Sequence, residues 1–166
     1  MIFDIHTHTF PDKIAGATIE KLQSMCHTAA FSDGTEAGLT ASMAAAGVEG
    51  CLVLPVATNA RQVVHVNDAS ARLNDTGPET GLWSFGCMHP DFSDWKAELA
   101  RIADLGMKGV KLHPIYQGID FDDLRYLRIL DRCGELGLAV LTHAGRDIGF
   151  PDRDHCTPEM TRSALR

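Results

Sequence analysis

The chain has 166 residues, of which 45% are hydrophobic and 22% charged, a balance that is typical of a globular domain and argues against a disordered or fibrous protein. Its formal net charge of -7, without any run of lysine or arginine, argues against a nucleic-acid or acidic-membrane surface and favours small molecules as partners. No basic leader opens the chain and no segment approaches the ~20 apolar residues of a membrane span, so we expect a cytoplasmic protein. The five cysteines have irregular spacing, which predicts reduced thiols and neither a disulfide framework nor a thiolate zinc site.

The first predicted element is a short apolar strand that begins at Ile2 and contains the segment DIHTH. Residues two apart in a strand face the same way, so Asp4, His6 and His8 project from one face. Two imidazoles therefore converge on one point, and such a pair needs one or two further donors to complete a zinc-type site. The alternative is two histidines that fell close together by chance, and the position at a strand end favours metal ligation.

The rest of the chain alternates between predicted helices and strands. Apolar stripes with capping residues indicate the helices, and short apolar runs rich in β-branched residues indicate the strands. The predicted order after the first strand is a helix over 11–25, a helix over 35–47, a strand over 48–54, a helix over 58–74, a strand over 82–88, a helix over 94–105, a strand over 107–112, a helix over 122–136, a strand over 138–143, a long polar loop over 144–156 and a helix that starts at 157–159.

Five strands separated by helices predict a parallel sheet, for which two architectures compete. A doubly wound sheet fits the length, but in the flavodoxin-like order 2-1-3-4-5 the first and fifth strands lie about 14 Å apart, where His143 could hardly share a metal with His6 and His8. In an eight-stranded barrel these strands face each other across the interior. Histidines also end the third and fourth strands, at His89 and His113, as the catalytic face of a barrel would show. The chemistry favours the barrel and the length favours the open sheet.

Four segments of the chain resemble the amidohydrolase superfamily, and specifically the amidohydrolase-related family that includes aminocarboxymuconate-semialdehyde decarboxylase-like enzymes. They are DIHTHTFPDKIA at 4–15, FGCMHPDF at 85–92, GVKLHP at 109–114 and LTHAG at 141–145, in the family's order over essentially the whole chain. The resemblance implies a metal-dependent TIM barrel, (β/α)8. It matches His6 and His8 to the two metal ligands of the first strand and His143 to the metal histidine of the fifth.

The resemblance also implies parts that cannot be assigned in this chain. Such families carry an acid/base histidine on a sixth strand and a metal-binding aspartate on an eighth. Because a barrel takes ~250 residues, we expect residues 1–166 to form a single, incomplete barrel domain with about five of eight βα units. The C-terminal portion, with the catalytic acid/base histidine and the aspartate, is then expected beyond Arg166.

The function that follows from this resemblance is a metal-dependent hydrolase that acts on a small polar molecule with an amide, ester, lactone or ring C–N bond. A divalent metal, expected to be zinc, would be held by His6, His8 and His143 and would activate a water molecule. A non-oxidative decarboxylase or hydratase of an unsaturated carboxylate, a lyase, would use the same ligands. A truncated, catalytically inactive fragment, or an open-sheet module that never binds metal, is the alternative from another class, and assembly into a homo-oligomer is left open.

Lys111 and His113 lie two residues apart on the predicted fourth strand, so both can face the interior near its rim. We interpret them as binding a substrate carboxylate, with Lys111 alternatively a carbamate bridge between two metals. The competing interpretation is that Lys111 pairs with an acidic neighbour and His113 packs against Pro114. His89 has a similar but weaker claim to a role in the site.

The loop over 144–156 lies where a lid or specificity loop would be. Its polar candidates, which are more often solvated or locally hydrogen-bonded than functional, are Arg146, Asp147, His155 and Cys156. Tyr116 and Gln117 could line a pocket, although their spacing does not demand it. We assign no chemistry to His27 and His65.

Overall fold

The computed structural model describes residues 1–166 and consists of six short strands and eight α-helices. The strands are β1 (Phe3–Thr7), β2 (Gly50–Val53), β3 (Leu82–Ser84), β4 (Gly86–Cys87), β5 (Gly109–Leu112) and β6 (Ala139–Thr142). The helices are α1 (Asp12–Cys26), α2 (Glu36–Ala46), α3 (Val63–Asp75), α4 (Gly77–Thr80), α5 (Trp95–Asp104), α6 (Pro114–Gln117), α7 (Leu124–Leu136) and α8 (Pro158–Ala164), with a 3-10 turn at Ala60–Gln62 before α3. None of these helices combines the length and the apolar character that crossing a bilayer requires.

All strand pairs are parallel, and the strands lie side by side in the order of the chain. One sheet has the order β1-β2-β3 and the other the order β4-β5-β6. A flavodoxin-like sheet would instead place β1 between two other strands. The doubly wound alternative is therefore wrong, and the sequential order is that of consecutive strands in a barrel wall.

The strand predicted over 82–88 is divided at Phe85 into β3, which pairs with β2, and β4, which pairs with β5. Two asparagines of α3, two helical turns apart, bind the backbone on either side of this break. Asn74 accepts from the Ser84 N–H at 2.7 Å and donates to its carbonyl at 3.0 Å. Asn67 accepts from the Cys87 N–H at 2.7 Å and donates to its carbonyl at 3.2 Å. The amide side chains thus satisfy backbone groups where one sheet ends and the other begins. The chain has six strands where five were predicted.

The predicted helices are confirmed, with two additions. The Thr35 side chain accepts from the Gly38 N–H at 2.9 Å, and Gly47 ends α2 in the left-handed region at φ 68°, as its capping pattern indicated. Thr157 caps α8 in the same way. The short helices α4 and α6 were not predicted, because four-residue segments carry too little periodicity to be recognised.

The hydrophobic core is centred on β5, all four residues of which are buried. A cluster of 16 buried residues joins β4 and β5 to α5 and α7, and a smaller one of five residues joins α2, α3, β2 and β3. The outer strand β1 is much less covered, and Ile5 keeps 64% of its surface exposed. All five cysteines are free, and four of them are buried. The best-packed part of the molecule is therefore the part that contains β4 and β5.

Candidate metal centre

The carboxyl ends of parallel strands lie at one edge of a sheet, and the histidines of this chain are concentrated there. His8 directly follows β1, His113 directly follows β5 and His143 directly follows β6, while His6 lies within β1. Each position was predicted from the local sequence, because a strand that ends in a histidine presents it at the edge whatever the rest of the fold does.

His6 and His8 face each other as a pair. Their Nε2 atoms are 3.2 Å apart and the rings lie edge to face at 67°. The Nδ1 atom of His8 lies 2.7 Å from the Leu54 carbonyl, which can only accept, so Nδ1 carries the proton and Nε2 keeps its lone pair. Two ligands at ~2.1 Å from a tetrahedral ion would be about 3.4 Å apart. His8 therefore has the tautomer of a metal ligand, and the pair has the spacing of two metal ligands.

The electrostatic surroundings keep both imidazoles neutral. Loss of hydration is the main cause that lowers the pKa of His6 and of His8, although part of each side chain stays exposed. The positive charges of Lys111 and His143 lower both pKa values further, while Asp4 raises that of His6 and the Leu54 hydrogen bond raises that of His8. Neutral imidazole is the form that binds a metal.

A second group of donors is formed by His113, His143 and Asp147, the only trio whose ligand atoms all lie within 4.8 Å of one another. The Nε2 atom of His143 is buried, has no hydrogen-bond partner, and lies 3.9 Å from the Asp147 Oδ2 atom. The predicted trio of His6, His8 and His143 is not drawn together to this degree. The charge of His143 thus affects the pKa values of His6 and His8. Its ligand atom, however, lies within 4.8 Å of those of His113 and Asp147.

His113 is held in a stack of rings. It lies 4.3 Å from the His143 ring at 12° on one side and 3.8 Å from the Tyr116 ring at 20° on the other. Its Nδ1 atom accepts from the Tyr116 backbone N–H at 3.4 Å, which places the proton of the neutral ring on Nε2. Burial lowers the pKa of His113 to about 3. His113 is therefore a rigid, neutral hydrogen-bond donor, a property that suits substrate binding.

Lys111 is a buried lysine whose ammonium group has no partner in the protein. It is 1% exposed, on β5, and its Nζ atom has no hydrogen-bond partner. No acidic neighbour pairs with it, so the interpretation of Lys111 as half of an ion pair is wrong. Desolvation alone lowers its pKa to about 8. A buried ammonium without a counter-ion is costly, and an anion that entered this site would remove that cost.

Two other candidates are used locally. The Nδ1 atom of His89 accepts from the Asp91 N–H at 3.2 Å, which closes a turn after β4. In the loop over 144–156, Arg146 binds Asp154 through two hydrogen bonds, and His155 lies 2.7 Å from Asp120. These contacts fix the loop at both ends. Cys156 is buried in the core.

The structure adds a residue whose role the sequence did not indicate. The side chain of Gln117, on α6, donates to the carbonyls of Ala57 and Met88 at 2.8 Å each. Its oxygen accepts from the Tyr126 hydroxyl at 2.5 Å and from the His113 N–H at 3.3 Å. Gln117 is buried and ties the segments after β2, β4 and β5 together beneath the histidines. No local pattern could have revealed this, because the Ala57 and Met88 carbonyls lie 60 and 29 residues away along the chain.

Sequential parallel strands with imidazoles at their carboxyl ends are typical of (β/α)8 barrels, a class that includes many metal-dependent enzymes. The amidohydrolase family model matches residues 3–165, and the chain belongs to that family. This confirms the resemblance seen in the four sequence segments. No functionally curated protein matches the chain in sequence.

Solved structures share the fold at low sequence identity. A manganese-bound 5-carboxyvanillate decarboxylase of Novosphingobium aromaticivorans has 16% identity and a TM-score of 0.63, over 89% of this chain and 51% of that one. A 2,6-dihydroxybenzoate decarboxylase of Rhizobium has 19% identity and a TM-score of 0.56, over 88% and 50%. A probable 2-pyrone-4,6-dicarboxylic acid hydrolase of Acinetobacter baumannii has 17% identity and a TM-score of 0.54, over 86% and 49%. The chain thus spans about half the length of these structures and has the fold of part of a (β/α)8 barrel.

Proposed function

We propose that the chain belongs to a metal-dependent enzyme that acts on a small molecule bearing a carboxylate. The observation that carries this proposal is Lys111, a buried ammonium without a partner at the strand ends where the histidines collect. A substrate carboxylate would provide the missing counter-charge, and the Nε2–H of His113, two residues along, would donate to the same anion.

The residues proposed to bind the metal are His6, His8 and His143. The facing Nε2 atoms of the pair and the buried, unpartnered Nε2 atom of His143 fit a divalent ion. When bound, such an ion lowers the pKa of a water molecule and polarises a substrate oxygen. Three imidazoles suit zinc, our first candidate. Manganese, which the Novosphingobium decarboxylase binds, is the second.

Two reaction types are compatible with this arrangement. Non-oxidative decarboxylation is favoured by the structural likeness to enzymes named for 5-carboxyvanillate and 2,6-dihydroxybenzoate. Hydrolysis, the first expectation from the sequence, is favoured by the likeness to a probable 2-pyrone-4,6-dicarboxylic acid hydrolase and has no stronger support. The compounds in all three names carry a carboxylate, which supports the proposed role of Lys111. We also propose a cytoplasmic location, since five free cysteines are typical of a reducing compartment.

Metal content tests the first half of the proposal. Elemental analysis of purified protein should show a bound divalent metal that is lost in His6→Ala and in His8→Ala. His65→Ala is the matched control, because His65 is exposed on α3 and is not among the proposed ligands. Equal metal content in all four proteins would refute the ligand assignment.

Product analysis tests the second half. The metal-loaded chain is incubated with 5-carboxyvanillate, 2,6-dihydroxybenzoate or 2-pyrone-4,6-dicarboxylate, and carbon dioxide and the remaining carboxylates are measured. Release of carbon dioxide indicates decarboxylation, and ring opening with all carboxylates retained indicates hydrolysis. Metal binding without turnover of any of these would instead favour the inactive-fragment alternative.

A further inference from the structure

The loop carboxylate Asp147 is placed differently from the other acidic residues of its loop. It is only 9% exposed, and no arginine or lysine contacts it, although Arg146 is its immediate neighbour and binds Asp154. A buried carboxylate without a cationic partner is costly unless hydrogen bonds or a metal ion compensate it. The neighbours of Asp147 therefore indicate whether hydrogen bonds or a metal ion compensate its charge.

The turn around Asp147 fixes one carboxylate oxygen and leaves the other free. The Oδ1 atom accepts from the Gly149 N–H at 2.8 Å, and the Asp147 carbonyl accepts from the Phe150 N–H at 3.1 Å. The Phe150 ring rests against the Tyr116 ring at 5.4 Å, which in turn stacks on His113. The loop is thus packed against the strand ends, with the Oδ2 atom directed at the Nε2 atom of His143.

The distance between these two atoms decides between a hydrogen bond and a shared ion. At 3.9 Å, Oδ2 and Nε2 are too far apart for a hydrogen bond, and Nε2 has no other partner. Two donors that each lie ~2.1 Å from one ion are separated by about 3.0 to 4.2 Å, depending on the angle between them. The observed separation falls within that interval.

We propose that Asp147 is a carboxylate ligand of the metal that His143 binds, supplied by the loop after β6 and additional to the strand-eight aspartate that the family resemblance implies beyond Arg166. This inference rests on the proposed function, since it requires that His143 binds a metal at all. A carboxylate ligand beside imidazoles makes the site better suited to harder ions such as manganese. The loop over 144–156 would then belong to the metal centre itself.

Cobalt binding to metal-free protein tests the inference without any measurement of activity. Co²⁺ is titrated into the wild-type chain and into Asp147→Asn, a variant that keeps the oxygen that accepts from Gly149. Removal of a ligand should weaken the Kd by about tenfold or more and change the visible absorption of bound cobalt. The control is Asp152→Asn, an exposed residue of the same loop, which should bind like wild type.

Asp147→Cys provides a gain of signal that is independent of loop stability. A thiolate that binds cobalt produces an ultraviolet charge-transfer band, which the wild-type protein, with its five cysteines elsewhere, should lack. Unchanged affinity and spectrum in Asp147→Asn, or a cobalt-loaded Asp147→Cys without the band, would overturn the assignment and leave the proposed function standing. A wild-type chain that takes up no cobalt, zinc or manganese would overturn both.

Discussion

Replacement of Lys111 by methionine removes a buried charge while keeping a side chain of similar length. If its Nζ atom has no partner, the metal-free Lys111→Met protein should be more stable than wild type at pH 7. The pKa of Lys111 falls from 10.5 to about 8 on folding, and 1.36 kcal/mol per pKa unit makes the penalty about 3 kcal/mol as an upper value. Overpacking or lost side-chain contacts would reduce the observed gain.

The expected stability difference depends on pH in a direction that follows from the lowered pKa of Lys111. Between pH 8 and 10.5 the unfolded chain holds a proton on Lys111 that the folded chain has released, so the wild-type free energy of unfolding rises with pH over this interval. Below pH 8 the penalty is fully present. The stability difference between Lys111→Met and wild type should therefore be largest at pH 7 and shrink towards pH 10.

Urea unfolding at pH 7, 8, 9 and 10 measures this difference, with Lys108→Met as the matched control. Lys108 is exposed and precedes the same strand, so its replacement should change the free energy of unfolding by about 0.5 kcal/mol or less. If Lys111→Met is less stable than wild type at pH 7 while Lys108→Met is not, the ammonium has a favourable partner. The argument for an anionic substrate would then fail.

Three further predictions follow from the same structure. Gln117→Leu leaves the carbonyls of Ala57 and Met88 without their donor and should lower the free energy of unfolding by about 2 to 4 kcal/mol in urea titrations. Because the pKa values of His6 and His8 are lowered, zinc affinity measured by calorimetry should stay constant as pH falls through 6.5 and weaken only below it. A thiol reagent should label only Cys26 in the native protein and all five cysteines in urea, since the other four are buried.

The sequence was informative wherever a residue's position depends on its own strand or helix. The imidazoles of His8, His113 and His143 stand at strand ends because each follows an apolar run, and α2 ends where Thr35 and Gly47 indicate. Each of these signals is contained within a few residues. The histidines and most of the elements could therefore be predicted before any contact was known.

The sequence was silent where position depends on contacts between distant segments. The break at Phe85 requires the amides of Asn67 and Asn74 on α3, which are 20 and 10 residues away along the chain from the strand residues they bind. The approach of Asp147 to His143 depends on the packing of a loop that carries no periodic pattern. The positions of such residues become visible only through the fold, and one of these residues, Asp147, lies at the site itself.

The distribution of unsatisfied polar atoms is the strongest physical reason to place a ligand at the strand ends. Four buried side-chain nitrogens lack a hydrogen-bond partner, and two of them belong to Arg128 and Arg132, whose other guanidinium nitrogens bind the Pro90 carbonyl and Glu135. The remaining two are the Nζ atom of Lys111, its only polar atom, and the Nε2 atom of His143. Buried polar groups are nearly always paired, so two orphans at one edge of the sheet, on neighbouring strands, indicate partners that protein atoms do not supply. A buried ammonium is stabilised by an anion, and an unpartnered imidazole nitrogen can bind a cation, so a metal ion with a substrate carboxylate would satisfy both.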